Sequence, residues 1–264
     1  MDNILPSTKI LGTVVTTAFK KDVLEYIVNK VQKGFEKLYI VTPNPEILVY
    51  ATRSKEFQRI LNNATVSLPD GIGVIAACNI LKKPIKERIS GVDMMLALCS
   101  KSANGGFKIG LLGGREGVAE KTSKCLREKY PDLIVNFVDN QWGEDGFKNA
   151  QKYDVSSIKY QEKKILRNTK YVIPNTHIDM LFVAFGFPKQ EEWIAENLPN
   201  IDVTLAMGVG GAFDYISGKV PRAPKFVRNI GMEWAFRLVR QPWRIKRQLI
   251  LPVFVGKVIK SRFA

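Results

Sequence analysis

The chain has 264 residues, 45% of them hydrophobic and 25% charged, which is enough for one large α/β domain with an appendage and argues against global disorder. Forty Lys and Arg residues against 25 Asp and Glu give a net charge of +15, so an anionic partner is expected. Nucleic acid, an anionic membrane face and a phosphate-bearing substrate are all compatible with this positive charge. The three cysteines are widely spaced and form no Cys-x-x-Cys pair or Cys/His cluster, which argues against a disulfide framework and a zinc site.

Short apolar runs alternate with helical patterns along the chain. Strands are predicted at 38–41, 109–112, 133–138, 180–185 and 203–207, and helices at 23–31, 116–130, 156–167 and 191–197. Because strand, glycine turn and helix recur, the pattern predicts an α/β fold with a Rossmann-like, mostly parallel sheet and helices on both faces.

Residues 1–10 lack the basic and apolar regions of a signal peptide, and no stretch reaches the roughly 18 to 20 consecutive apolar residues that a membrane span needs. The sequence therefore predicts a protein that is made and kept in the cytoplasm and is able to touch a membrane.

The composition changes after residue 217. From residue 219 to the end there are twelve Lys and Arg residues against one acid, Glu233, and apolar and aromatic residues lie among them. We expect amphipathic helices here, broken by Pro242 and Pro252. The predicted organisation is an α/β core over 1–217 and a basic, membrane-associating appendage over 218–264.

Turns that follow strands bind ligands in open α/β sheets, and several such turns carry polar groups here. Thr42 and Asn44 lie in a turn that two prolines stiffen. Asp70 lies between Pro69 and Gly71, where a carboxylate serves equally well as a helix N-cap or as a general base.

Glycine turns and two further side chains complete the candidate site. Gly208, Gly210 and Gly211 precede Asp214 in a turn whose N–H groups suit a diphosphate. Arg88 and Gln190 are candidate ligand contacts, although each, taken alone, is more often a solvated side chain. No metal-binding Asp-x-Asp pair, P-loop or Gly-x-Ser-x-Gly motif stands out.

Taken together, these motifs occur in a specific order. They are Thr42-Pro-Asn-Pro-Glu46, Pro69-Asp-Gly-Ile-Gly73, Glu87-Arg88-Ile-Ser-Gly91, Leu111-Leu-Gly-Gly114, Gly186-Phe-Pro-Lys-Gln-Glu191 and Gly208-Val-Gly-Gly-Ala-Phe-Asp214, followed by Arg222-Ala-Pro224 and Gly231-Met-Glu-Trp234. In this order the chain resembles the bacterial WecG/TagA/CpsF glycosyltransferases, which include the N-acetylmannosaminyltransferases of wall teichoic acid synthesis and transferases of enterobacterial common antigen. The resemblance covers roughly 11–247.

The resemblance implies an inverting transfer, without metal or cofactor, from a UDP-sugar to an undecaprenyl-diphosphate-linked sugar at the inner face of the cell membrane. It makes Asp70 the catalytic base, Thr42 and Asn44 its neighbours, and Arg88 and Gln190 donor or acceptor contacts. It also implies a UDP site and a tail that closes over the active site and meets an anionic membrane surface. The UDP site would be Gly208, Gly210, Gly211 and Asp214, and the tail arginines would be Arg237, Arg244 and Arg247.

One departure concerns the tail. Gln241 precedes Pro242 where the family usually has an acidic residue, so one salt bridge of the tail is expected to be missing. Residues 149–175 look longer than usual, and no aromatic is assigned to the uracil. The donor sugar and the oligomeric state stay open, a homo-oligomer included.

Two other functions account for part of the sequence. A nucleic-acid-binding protein would use the basic tail, but the interspersed aromatic and aliphatic residues favour a membrane face instead. A dinucleotide-dependent oxidoreductase would need a Gly-x-Gly-x-x-Gly turn, and the spacing of Gly110, Gly113, Gly114 and Gly117 does not provide it.

Overall fold

The computed structural model describes residues 5–139 and 177–263, which form two compact units. The first unit holds the described parts of 1–27, 41–94 and 220–264, and the second holds 28–40 with the described parts of 95–219. The chain passes from the second unit to the first between Lys219 and Val220. The helix predicted around 156–167 lies outside the described residues.

Eight strands are described. They are β1 (Ser7–Ile10), β2 (Thr13–Thr16), β3 (Leu38–Val41), β4 (Val66–Ser67), β5 (Lys108–Gly113), β6 (Ile134–Asp139), β7 (Ile178–Ala184) and β8 (Val203–Gly208). The first two form an antiparallel hairpin, and the other six form a parallel sheet in the order β4-β3-β8-β7-β5-β6.

Helices flank this sheet and make up the end of the described chain. They are α1 (Lys20–Lys33), α2 (Pro45–Ala51), α3 (Lys55–Asn62), α4 (Ile72–Ile80), α5 (Gly91–Gly105), α6 (Val118–Lys129), α7 (Lys189–Asn197), α8 (Ala212–Ile216), α9 (Lys225–Asn229), α10 (Glu233–Arg240), α11 (Ile245–Gln248) and α12 (Ile250–Arg262). The predicted α/β class is confirmed, and the strands and helices predicted within the described residues are present with ends that differ by a few residues.

The middle of the sheet explains why its strands read as continuous apolar runs. In register, Ile40 pairs with Met207, Met207 with Phe182, and Phe182 with Leu111. None of these four side chains is exposed to solvent. A parallel sheet covered on both faces has no polar face, and its strands therefore do not alternate.

The hairpin β1–β2 was not among the predicted elements. Its turn is Leu11–Gly12, and both residues have a positive φ, of 51° and 82°. Two-residue hairpin turns need this left-handed backbone, which Asn-Gly or Asp-Gly usually signals in a sequence. Leucine gives no such signal, and tertiary contacts hold it here, including the 2.9 Å hydrogen bond that Gln58 Nε2 donates to the carbonyl oxygen of Leu11.

The prolines of the C-terminal segment act differently from each other. Helix α10 ends at Arg240 and a 3₁₀ turn begins at Pro242, so the predicted break there is confirmed. The predicted break at Pro252 is wrong, because Pro252 is the third residue of α12. The N–H groups of a first helical turn have no partner within the helix, so a proline there removes no hydrogen bond.

Helix α12 packs against α2 and α4 within the first unit. Phe254 and Val258 are buried in one apolar cluster with Leu48, Val49 and Val74. Fully burying a side chain of this size contributes about 1.5–3 kcal/mol, so the C-terminal segment adds to the core of its unit.

Candidate active site

Backbone hydrogen bonds bring together three of the turns singled out in the sequence. In the first unit, the N–H of Asp70 donates to the carbonyl oxygen of Pro43 over 3.1 Å. The N–H of Ile89 donates to the carbonyl oxygen of Pro69 over 3.0 Å. The turn after β4 is therefore fixed between the turn after β3 and the segment that leads into α5.

Asp70 does not cap the helix that follows it. Helix α4 begins at Ile72, and its N-cap is Gly71 (φ 91°), which offers no side-chain hydrogen bond. The Asp70 carboxylate instead accepts a long hydrogen bond, 3.4 Å at Oδ2, from the N–H of Gly91 at the start of α5. The structure thus excludes capping of α4, which is one of the two roles that the sequence left open.

The pKa of Asp70 is shifted toward neutral pH. Burial raises the pKa of Asp70 to about 6, against the effects of the Arg88 charge and the Gly91 N–H, while the negative charges of Glu233 and Asp93 add to the rise. A carboxyl group with this pKa is mostly ionised at neutral pH and still holds a proton far better than an ordinary aspartate. This is the range in which a general base works best.

The two neighbours assigned to Asp70 are placed differently. Asn44 is the N-cap of α2, where its Oδ1 accepts from the N–H groups of Glu46 (3.0 Å) and Ile47 (3.1 Å). The side-chain NH₂ group takes no part in this cap. Thr42 is buried against Gly91, where an added Cβ would lie 3.1 Å from Thr42 Cγ2. The structure therefore brings Thr42 to the residue that also contacts the Asp70 carboxylate.

Arg88 belongs to a group of charges that we call the arginine–carboxylate cluster, made of Arg88, Asp93, Arg222, Arg228 and Glu233. Its centre is Arg222, which donates from Nη1 and Nη2 to the two oxygens of Asp93 (2.7 and 2.9 Å) and from Nε to Glu233 (3.1 Å). Glu233 lies 3.9 Å from Arg88, and Arg228 lies 3.5 Å from Asp93. The cluster therefore ties the start of the C-terminal segment to α5 and to the charge beside Asp70.

The positive charges around Asp93 keep its carboxylate ionised. Burial alone would raise the pKa of Asp93, but the hydrogen bonds and charge of Arg222, with Lys20 and Arg228, hold that pKa below its usual range. Asp93 stays ionised and remains a fixed partner for Arg222. The sequence-based site omitted Asp93, Arg222, Arg228 and Glu233; an acid within the apolar run Val92–Met95 is the signal that could have suggested a buried cationic partner.

The three tail arginines lie on different elements. Arg247 forms an ion pair with Glu46 at the start of α2, with Nε 3.0 Å from each carboxylate oxygen. Arg237, in α10, donates from Nε to Gln241 Oε1 over 3.2 Å, so a neutral amide accepts at the position where an acid was expected. Arg244 ends the 3₁₀ turn before α11.

In the second unit, the Gln190 side chain lies between two turns that follow strands. Its Oε1 accepts from the N–H of Gly186 after β7 (3.2 Å) and from the N–H of Gly210 after β8 (2.9 Å). An added Cβ on Gly208 would lie 2.8 Å from Gln190 Nε2, so a larger residue there would displace the Gln190 amide. The Gly210 N–H is therefore held by the protein itself. Asp214 lies in the first turn of α8, directly after Gly211.

Beneath Gln190 lies a second carboxylate that the sequence-based site omitted. Glu191 Oε1 accepts from Gln190 Nε2 over 2.8 Å, and the side chain has no exposed surface. Burial raises the pKa of Glu191 to about 7, against the effects of the Gln190 hydrogen bond and a backbone hydrogen bond. Its position next to a candidate ligand residue is the only sequence signal for it.

Comparison with known proteins identifies the family. The model of the glycosyl transferase WecG/TagA/CpsF family matches residues 8–264. The chain belongs to this family. It is 33% identical over 226 residues to the N-acetylglucosaminyldiphosphoundecaprenol N-acetyl-beta-D-mannosaminyltransferases of Staphylococcus aureus strains MW2 and NCTC 8325, covering 85% of this chain and 81% of each relative. The enzyme of strain MRSA252 is 32% identical over the same length. The protein is thus a glycosyltransferase, as the order of its motifs predicted.

Proposed function

We propose that this glycosyltransferase moves N-acetylmannosamine, or a closely related sugar, from a UDP-sugar to a polyprenyl-diphosphate-linked N-acetylglucosamine, with Asp70 as the base. The relatives' names specify an N-acetylglucosaminyldiphosphoundecaprenol acceptor and an N-acetyl-beta-D-mannosaminyl product. The observation that carries the proposal is the Asp70 carboxylate. It is partly buried, it does not cap α4, and its pKa is raised to about 6.

The proposed step is a single displacement. A hydroxyl oxygen of the acceptor sugar attacks the anomeric carbon of the donor, the bond from that carbon to the UDP oxygen breaks, and the hydroxyl proton passes to Asp70. UDP leaves with the bonding electron pair. With an α-linked donor this displacement gives a β-linked product, which agrees with the product in the relatives' names and makes the reaction inverting.

The leaving diphosphate needs compensation of its negative charge. We assign this to the turn at Gly208–Gly211, in which the Gly210 N–H already donates to Gln190, with Asp214 near the nucleoside, and to Arg237, Arg244 and Arg247. Arg88 is assigned to the donor or acceptor beside Asp70. Because Arg247 already pairs with Glu46, its binding to a phosphate would exchange one anion for another. These assignments make the reaction independent of a divalent metal.

The C-terminal segment supports contact with an anionic membrane. Within the described residues no helix is long and apolar enough to cross a bilayer. Large apolar side chains of the segment are nevertheless exposed, among them Phe226, Val239, Trp243, Leu249 and Phe263. We assign these side chains and the segment's basic residues to the membrane interface, where each cation near anionic lipid contributes about 1 kcal/mol. We therefore propose a peripheral position on the inner face of the cell membrane.

A UDP-release assay tests the proposal. The full-length protein is given a panel of UDP-sugars and a short-chain lipid-diphosphate N-acetylglucosamine acceptor, with and without EDTA. We expect release only with both substrates, fastest with UDP-N-acetylmannosamine, and unchanged in EDTA. Proton NMR of the product should show the β anomer. Loss of activity in EDTA that Mg²⁺ restores would refute metal independence, and an α product would refute inversion.

A further inference from the structure

We propose that Glu191 is a positioning residue, which fixes the side-chain amide of Gln190 and thereby holds the turn at Gly208–Gly211 in the shape that receives the diphosphate of the UDP-sugar. This inference rests on the proposed function, because it names the diphosphate as the ligand.

The Gln190 amide has one favourable orientation. Its oxygen faces two backbone donors, the N–H groups of Gly186 and Gly210, and its nitrogen faces Glu191 Oε1. In the reverse orientation the amide would set its own N–H groups against two other donors and its oxygen against a carboxylate. A carboxylate accepts and cannot donate when it is ionised. Together with the two backbone donors, Glu191 therefore stabilises the orientation in which Gln190 joins the two turns.

Gln190 lies where it joins two turns of the sheet. It is 2% exposed, and it is the common acceptor for the turns that follow two neighbouring strands, β7 and β8. Gly208 leaves the space in which the amide lies. Loss of the Gln190 orientation would release the Gly210 N–H, and with it the conformation of the glycine turn.

Burial of the Glu191 carboxylate is unfavourable for folding. Of its two oxygens only Oε1 has a hydrogen-bond partner among the described residues, and Oε2 is buried without one. The hydroxyl of Tyr39 donates to the backbone oxygen of Glu191 over 3.4 Å, so it gives the carboxylate no hydrogen bond, and the charge of Glu192 opposes ionisation. An acid buried in this way destabilises the fold compared with an apolar side chain of similar size. Its contribution must then lie in what it orients.

The experiment compares full-length variants at Glu191. Glu191→Met removes the acceptor at similar volume, and Glu191→Gln keeps an oxygen that can accept from Gln190. The matched control is Glu192→Gln, which removes a charge one residue further along α7. Binding of UDP is measured by titration calorimetry, and the KM for the UDP-sugar and kcat are measured separately. Thermal unfolding of each variant checks that it is folded.

We expect Glu191→Met to weaken UDP binding about tenfold, which corresponds to about 1.4 kcal/mol, and to raise the KM for the donor more than it lowers kcat. Glu191→Gln and Glu192→Gln should stay within about twofold of wild type, a change of under about 0.5 kcal/mol.

Three outcomes would contradict the inference. UDP binding by Glu191→Met at wild-type strength would overturn it alone, with the proposed function intact. A loss in Glu191→Gln as large as in Glu191→Met would overturn the hydrogen bond as its basis. A wild-type protein that binds no UDP would overturn the proposed function, and the inference with it.

Discussion

Asp70 and Glu191 are two poorly solvated carboxylates that follow strands of the same sheet, and their surroundings differ. Asp70, in the first unit, is close to the guanidinium of Arg88, which belongs to the arginine–carboxylate cluster. Glu191, in the second unit, has an amide for its single side-chain partner among the described residues. Burial raises both pKa values, to about 6 for Asp70 and to about 7 for Glu191.

The difference shows how the neighbours of a buried acid set what it can do. The positive charge of Arg88 opposes the effect of burial, so Asp70 remains mostly ionised at neutral pH and can accept a proton. Glu191 has a hydrogen bond in place of a cation and is divided between its two forms near pH 7. A carbonyl oxygen accepts a hydrogen bond in either form, which suits a residue that orients and does not react.

The largest expected effect separates the two acids by rate. Asp70→Asn removes the proton acceptor at nearly constant shape, so kcat in the UDP-release assay should fall by about 10²–10⁴-fold. Glu191→Gln should lower kcat by less than about twofold, since an oxygen acceptor remains. Asp132→Asn, at an exposed position before β6, serves as a control that should match wild type. Normal turnover by Asp70→Asn would end its assignment as the base.

The pH dependence of the wild-type rate sharpens the same contrast. If Asp70 must be ionised, kcat/KM should fall about tenfold for each pH unit below its pKa of about 6 and should level off above it. Initial rates between pH 4.5 and 8.5 at low donor concentration give the profile. An acid limb centred near pH 4 would show that Asp70 is not the group that titrates.

Breaking the arginine–carboxylate cluster tests whether it supports the Asp70 site. Arg222→Ala leaves Asp93 and Glu233 without their strongest partner, so unfolding free energy should drop by about 1–3 kcal/mol at these partly exposed positions. The uncompensated negative charges should also move the acid limb of kcat/KM to higher pH by about half a unit.

Two control variants accompany that measurement. Arg222→Lys keeps the charge without the paired hydrogen bonds and should recover the pH profile more fully than the stability. Arg59→Ala removes an exposed arginine of α3 and should change neither. If Arg222→Ala left the acid limb in place, the cluster would be a structural tie with no influence on Asp70.

The last expected effect concerns stability, and it has the same sign for both acids. The ordinary pKa values are 3.8 for Asp70 and 4.5 for Glu191, so between these values and about 6 and 7 the folded state binds more protons than the unfolded state. Stability should therefore fall as pH rises from about 4 to about 7.5 and change little beyond. At pH 8, Asp70→Asn and Glu191→Gln should each raise the unfolding free energy by about 1–3 kcal/mol.

Urea titrations at pH 5 and pH 8 measure this effect, and the gain should shrink markedly at pH 5. A gain of equal size at both values would show that ionisation is not its source.

The sequence predicted the sheet strands well, with β4 the exception, and several helices, because a buried parallel strand reads as a run of apolar residues that turn signals interrupt. It failed at the turn Leu11–Gly12, whose conformation leucine does not signal, and at Pro252, whose effect depends on where α12 begins. At the candidate site it singled out Asp70, Arg88 and Gln190 from their turns, and their roles stay predictions. It omitted Asp93 and Glu191, which are acids inside helical segments whose roles depend on what covers them.

By itself, the sequence determined the family, the α/β class and the turns that hold the candidate site residues, because these depend on short patterns in a fixed order. Only the tertiary structure decided that Asn44 caps a helix and Asp70 does not, and that Gln190 binds two backbone N–H groups. The pairs Arg222–Asp93 and Arg247–Glu46 join residues 129 and 201 positions apart, beyond the reach of any local pattern. The raised pKa values follow from burial, which is a property of the packed chain and not of the residue or its neighbours in sequence.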